Sequence, residues 1–134
     1  MRRARDTSMR AKNIEDVVVY QKATIAGDAV SALLSRPAFS RYYDLTDQLS
    51  RSTSRVAPLI AEGFGQLSDR HLAVYLGRSR GSALETKGHL QKALRLRCIS
   101  QAEFTDANEM YNVIGKMLTR WINYLQGTDW KRRG

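Results

Sequence analysis

The residues of this 134-residue chain that could carry chemistry are few, and most of them lie between Tyr42 and Leu90. His71 and His89 stand 18 positions apart, too far for a local metal pair, and no carboxylates repeat the Glu-x-x-His spacing with which paired helices hold a di-metal centre. Glu85 and His89 share a helical face at i, i+4, but one such pair arises readily by chance, so no metal and no cofactor are expected. Glu62 and Glu85 are the carboxylates one would enlist as acid and base. Arg51, Arg55, Arg78 and Arg80 occupy the same two segments, and pairing with guanidinium is the expected use of those carboxylates. Cys98 has no partner nearby and sits at a helix end, where a packed thiol is expected rather than a nucleophile. Gly63-Phe64-Gly65 lacks the lysine and the helix start of a phosphate loop. No catalytic residue is expected, and the chain reads as a non-enzyme.

Charge is what remains. The formal net charge is +9, from 22 Lys and Arg against 13 Asp and Glu, and it is uneven. Residues 1–12 carry Arg2, Arg3, Arg5, Arg10 and Lys12 against Asp6 alone. Residues 68–97 carry Arg70, Arg78, Arg80, Lys87, Lys92, Arg95 and Arg97 against Asp69 and Glu85. A field of that sign attracts polyanions, RNA or DNA first. Arg51 and Arg55 lie one turn apart on a shared face, while Arg78 and Arg80 flank the apolar stripe of their helix on opposite sides. With Arg95 and Arg97 they are the candidate phosphate contacts. No recognition-helix turn, RNA-binding signature or zinc finger is present, so base-specific readout is not expected. The alternative is a structural or protein-interaction module whose charge serves solubility or an acidic protein partner.

The elements that must position these groups are helices. Leu45, Leu49, Ser52, Val56, Leu59 and Gly63 step by four and three, and Leu72, Leu76, Ser79, Ala83, Thr86 and Leu90 do the same, each keeping one stripe toward a partner. Gly63 and Gly65 bracket the break between them, where a positive φ would end the first helix. Upstream, a helix is expected from about Glu15 to Leu34 with Tyr20, Ala23, Ala26 or Gly27, Val30 and Leu33 or Leu34 inward. The second helix should start at Ser40 or Asp44, and Pro58 should kink it. Ser68 or Asp69 caps the third, which runs to about Leu96. Its Gly77, Gly81 and Gly88 each cost roughly 1 kcal/mol relative to alanine, which points to close approach of another backbone, within the chain or between subunits.

The fourth helix opens on a capping box, Ser100-Gln101-Ala102-Glu103. Phe104, Ala107, Tyr111, Ile114, Leu118, Trp121 and Leu125 form its stripe, and Gly127 is its expected end. Val17-Val18-Val19 suits a strand, but no second strand pattern exists to pair with it. The fold class is therefore all-α, an antiparallel up-down-up-down four-helix bundle over residues 13–126. Residues 1–12 are expected as a mobile basic arm and 127–134 as a short basic tail, in which Trp130 has no assigned role. No run approaches the roughly 18 apolar residues of a membrane span, so no membrane partner is expected. The single cysteine fits a reducing compartment, and a cytoplasmic location is expected.

Three motifs in order, Leu45-Thr46-Asp47-Gln48-Leu49 with Arg51, Ile60-Ala61-Glu62-Gly63-Phe64-Gly65, and Gly81-Ser82-Ala83-Leu84-Glu85, together with Val19-Tyr20-Gln21-Lys22-Ala23, resemble the four helix bundle protein family. Its members include proteins encoded by intervening sequences within bacterial large-subunit ribosomal RNA genes, and it is related to the accessory variability determinant of diversity-generating retroelements. The resemblance spans about residues 13–125. It implies a homo-oligomeric ring, typically a homopentamer, and for the retroelement relative it implies nucleic-acid binding. It makes Glu62, Gly63, Gly81, Ser82 and Glu85 motif positions with a structural or subunit-contact role. The family's arginine pair and its asparagine before Ile-Ala-Glu-Gly are replaced here by Ser50-Arg51 and Leu59, so no role of that asparagine carries over.

Overall fold

The computed structural model describes residues 11–133, with side chains described through Gly127. The expectations for residues 1–10 of the basic arm and for Trp130 lie outside the described residues. Four α-helices make the fold: α1 (Val18–Leu34), α2 (Tyr43–Phe64), α3 (Asp69–Arg95) and α4 (Gln101–Arg133). Two short 3-10 turns, Ile14–Asp16 and Pro37–Arg41, precede α1 and α2, and no strand occurs among the described residues. α2 packs on α3, α3 on α4, and α1 on both α2 and α4, so the four surround one core.

The helix ends follow local chemistry, and some differ from expectation. α1 starts three residues late because Val17 is extended after the 3-10 turn, with φ −78° and ψ 114°. Val17 and Val19 are both buried, so the valine run serves the core from a helix start rather than a strand. α2 begins at Tyr43, not at a Ser40 or Asp44 cap. Ser40 is spent in the 3-10 turn, donating to the Pro37 carbonyl, while Asp44 falls in the first turn, where its charge suits the helix dipole. α2 runs on through Pro58, which is exposed; the carbonyl it frees belongs to Ser54, also exposed and open to water.

α3 starts as expected, with the Ser68 hydroxyl accepting from the His71 amide. It closes without glycine. Arg97 takes φ 62°, its amide donates to Leu94 O, and the Cys98 amide reaches back to Ala93 O, a Schellman closure with arginine at the left-handed position. The α4 capping box is fully formed. The Glu103 amide donates to Ser100 Oγ at 3.1 Å and the Ser100 amide to Glu103 Oε1 at 2.8 Å. That amide, and then Arg36 paired to the same carboxylate from the α1–α2 connection, hold Glu103 below the usual carboxylate range. Gly127 does not end α4, which stays helical to Arg133.

No glycine among the described residues has positive φ, which corrects the expectation at Gly63 and Gly65. Gly65 is αR, with φ −81°. Gly63 is required for space instead. A Cβ built there would lie 2.9 Å from Tyr75 Cβ and 3.2 Å from Leu72 Cδ1. Gly77, Gly81 and Gly88 behave oppositely: a Cβ on any of them meets nothing within 4 Å, so they mediate no close approach inside the chain.

The core holds Leu49, Ile60, Leu76, Leu90, Ile114 and Leu118, each at most 1% exposed. Each such side chain contributes roughly 1.5–3 kcal/mol on burial. Ile60, fully buried, takes the place on α2 that the step pattern gave to Leu59, which is only half-buried. On α4 the stripe from Ala107 to Leu125 is buried throughout. Between α2 and α3 the core turns polar and small. Ser79 Oγ donates to Val56 O at 2.7 Å, and the Thr86 hydroxyl lies 2.9 Å from both Ser52 Oγ and Ser82 O. Buried hydroxyls without such partners would cost about 1–3 kcal/mol each.

Candidate nucleic-acid interface

The six arginines singled out from sequence fall into three places. Arg51 and Arg55 share the exposed side of α2, but each meets a carboxylate. Arg51 Nε lies 3.1 Å from Asp47 Oδ2, one turn back on α2, and Arg55 Nη2 lies 3.1 Å from Glu85 Oε1 on α3. The second oxygen of Glu85 is 3.3 Å from His89 Nε2. Arg78 rests over the Tyr75 ring, 5.4 Å from its centroid, a cation–π geometry. Arg80, on the other flank of α3, turns toward α4. Arg95 and Arg97 stand exposed at the C-terminal end of α3, where positive charge suits the dipole.

Two of the five motif positions, Gly63 and Glu85, make contacts between helices. Gly63 admits Tyr75 and Leu72, and Ser82 is buried in the hydroxyl seam. Glu85 ties α2 to α3 through Arg55. Gly81 is exposed, and the Glu62 carboxylate is exposed with no partner among the described residues. The groups considered for other chemistry are likewise accounted for. His71 Nδ1 sits 2.7 Å from Ser68 Oγ at the α3 cap. Cys98 is buried near Ala38 O, and desolvation pushes its thiol up, away from the reactive thiolate.

Sequence reasoning named Arg80 and Lys87 but passed over Lys116 and Arg120, which oppose them. A cleft of about 490 Å3 opens between α3 and α4, walled by Arg80 and Lys87 from one helix and Lys116 and Arg120 from the other. None of these four has an ion-pair partner among the described residues. Asn112, Thr119 and Asn123 add neutral polar groups, and Ala83, Gly115 and Tyr111 form the floor. Tyr111 is 1% exposed, and its hydroxyl has no hydrogen-bond partner among the described residues. Desolvation raises its pKa, so the phenol keeps its proton and remains a donor. The signal was present in the sequence: α4 has no carboxylate between Glu109 and Asp129, while Lys116 and Arg120 lie four residues apart.

An all-helical protein with a basic cleft between two of its helices is thus defined by the fold and its charges. The sequence pattern of the 23S rRNA-intervening sequence proteins matches residues 15–120, and the chain belongs to that family. No curated protein sequence matches it.

Proposed function

We propose that this protein works by binding rather than catalysis, as a homo-oligomer of antiparallel up-down-up-down bundles that takes nucleic acid through its basic surface without base specificity. The observation that carries this reading is the set of cations on α3 and α4 without carboxylate partners among the described residues, within a chain of net charge +9. Phosphate contacts of this kind supply affinity and position but carry no sequence information. Assembly is supported by the outer side of α3. Val74 is 53% exposed and stands near Gly77, Gly81 and Gly88, at which a Cβ would meet nothing within 4 Å. Five subunits is the number the family resemblance implies, and a cytoplasmic location fits a lone buried thiol. A ring would bring several copies of the basic surface together and raise avidity for a long polyanion.

The test is a titration of single-stranded RNA and DNA at several salt concentrations, on protein whose solution mass is fixed by light scattering. Binding by an oligomer that weakens steeply with salt is the expected result. Absence of binding at low salt would overturn the nucleic-acid reading, and a monomeric mass would overturn assembly. The second reading, a protein-interaction module, draws on the same exposed Val74. A salt-tolerant protein partner, with no nucleic-acid binding, would favour it.

A further inference from the structure

We propose that the cleft between α3 and α4 is a binding site for phosphate groups of a nucleic-acid strand, with Arg80, Lys87, Lys116 and Arg120 as counter-charges. This rests on the nucleic-acid reading and gives it a location.

The charge arrangement is costly to the isolated fold. Lys116 and Arg120 are like charges at i, i+4, a spacing that weakens a helix. Arg80 and Lys87 face them across the cleft, and no carboxylate lines it. Arg51 and Arg55 are exposed too, yet each sits against an acid. An anion in the cleft is what would turn this cluster from a repulsive into an attractive arrangement.

Shape and polarity agree. The volume, about 490 Å3, falls within the range of small-molecule sites and gives room for a nucleotide unit. Gly115 and Ala83 keep the floor low, and a Cβ at Gly115 would meet nothing within 4 Å. Asn112, Thr119 and Asn123 can donate to phosphate or sugar oxygens without reading a base.

Two charge-matched double variants of the full-length protein test this, Lys116→Ala with Arg120→Ala against Arg51→Ala with Arg55→Ala. The probe is fluorescein-labelled oligouridylate of about ten nucleotides, followed by anisotropy from about 50 to 200 mM salt, with helicity and solution mass checked for each protein. The cleft variant should lose at least about tenfold in affinity at low salt, and its salt slope should flatten by about 1.4, two single-strand phosphate contacts. The α2 variant should keep the wild-type slope. Tyr111→Phe should leave affinity and slope unchanged, because its hydroxyl is shielded from solvent.

Equal slopes for both double variants, with wild-type binding intact, would overturn the cleft while leaving the nucleic-acid reading standing. No binding by the wild type would overturn both. A fluorescent ATP analogue that binds the wild type and is lost in the cleft variant, with no strand bound, would keep a phosphate site and overturn the strand as its source.

Discussion

Helix α3 presents two different interfaces. Toward α2 it is closed. Small hydroxyl residues interlock, the Ser52, Thr53, Ser79 and Thr86 hydroxyls each find an oxygen, and the arginines at the rim meet Asp47 and Glu85. Toward α4 the outer half is open, its four cations unpaired and a buried tyrosine hydroxyl unsatisfied among the described residues. The α2–α3 seam is internally complete and therefore belongs to the fold. The α3–α4 cleft is complete only with an anion added. Arginine count alone would rank the two sides equally; the carboxylates separate them.

The hardest way to break this contrast is at Gly63. Its missing Cβ is the space into which Tyr75 and Leu72 pack, with Tyr75 Cβ at 2.9 Å. Gly63→Ala should destabilise the protein by about 1–3 kcal/mol, because backbone must move to relieve the overlap. Gly65→Ala is the matched control, since a Cβ there meets only carbonyl oxygens at 3.6 and 3.8 Å and its φ is ordinary. It should be neutral or stabilising by up to about 1 kcal/mol. Urea midpoints at constant m-value measure both, and equal stability for the two variants would remove the seam's claim to be the tighter interface.

Tyr111→Phe probes the open side. If the hydroxyl is unsatisfied in the free protein, phenylalanine keeps the packing and removes the unmet donor, so stability should rise by about 1 kcal/mol. RNA binding by the same variant should stay at the wild-type value, because the hydroxyl is shielded from solvent; a fall in stability would mean the hydroxyl already serves the fold.

The fold was largely legible because its signals are local. Ser68 and the Ser100–Glu103 box cap the helices they appeared to cap, and the α4 stripe from Ala107 to Leu125 is the buried one. α2 ends between Gly63 and Gly65 as expected, though without a positive φ. Gly127 does not end α4, since a glycine costs a helix only about 1 kcal/mol. The site was less legible. Asp47 one turn before Arg51 was visible as an i, i+4 pair, whereas Arg55 with Glu85 needed the register of two helices. The cleft also needed two helices face to face. Lys116 and Arg120 stand out only once Arg80 and Lys87 are known to oppose them.

Arg97 is the smallest lever and the sharpest on the sequence reading that made it a phosphate contact. It holds φ 62°, where a non-glycine residue costs roughly 1–2 kcal/mol, and its side chain lies outside the cleft between α3 and α4. Arg97→Gly keeps the two closing hydrogen bonds to Leu94 O and Ala93 O and removes the strain. Stability should rise by about 0.5–1 kcal/mol, and the salt slope for RNA should stay at the wild-type value. A flattened slope would return Arg97 to the interface and extend the anion path from the cleft to the end of α3. An unchanged slope with higher stability would leave the left-handed arginine as a cost borne at the α3–α4 turn and confine phosphate binding to the four cations of the cleft.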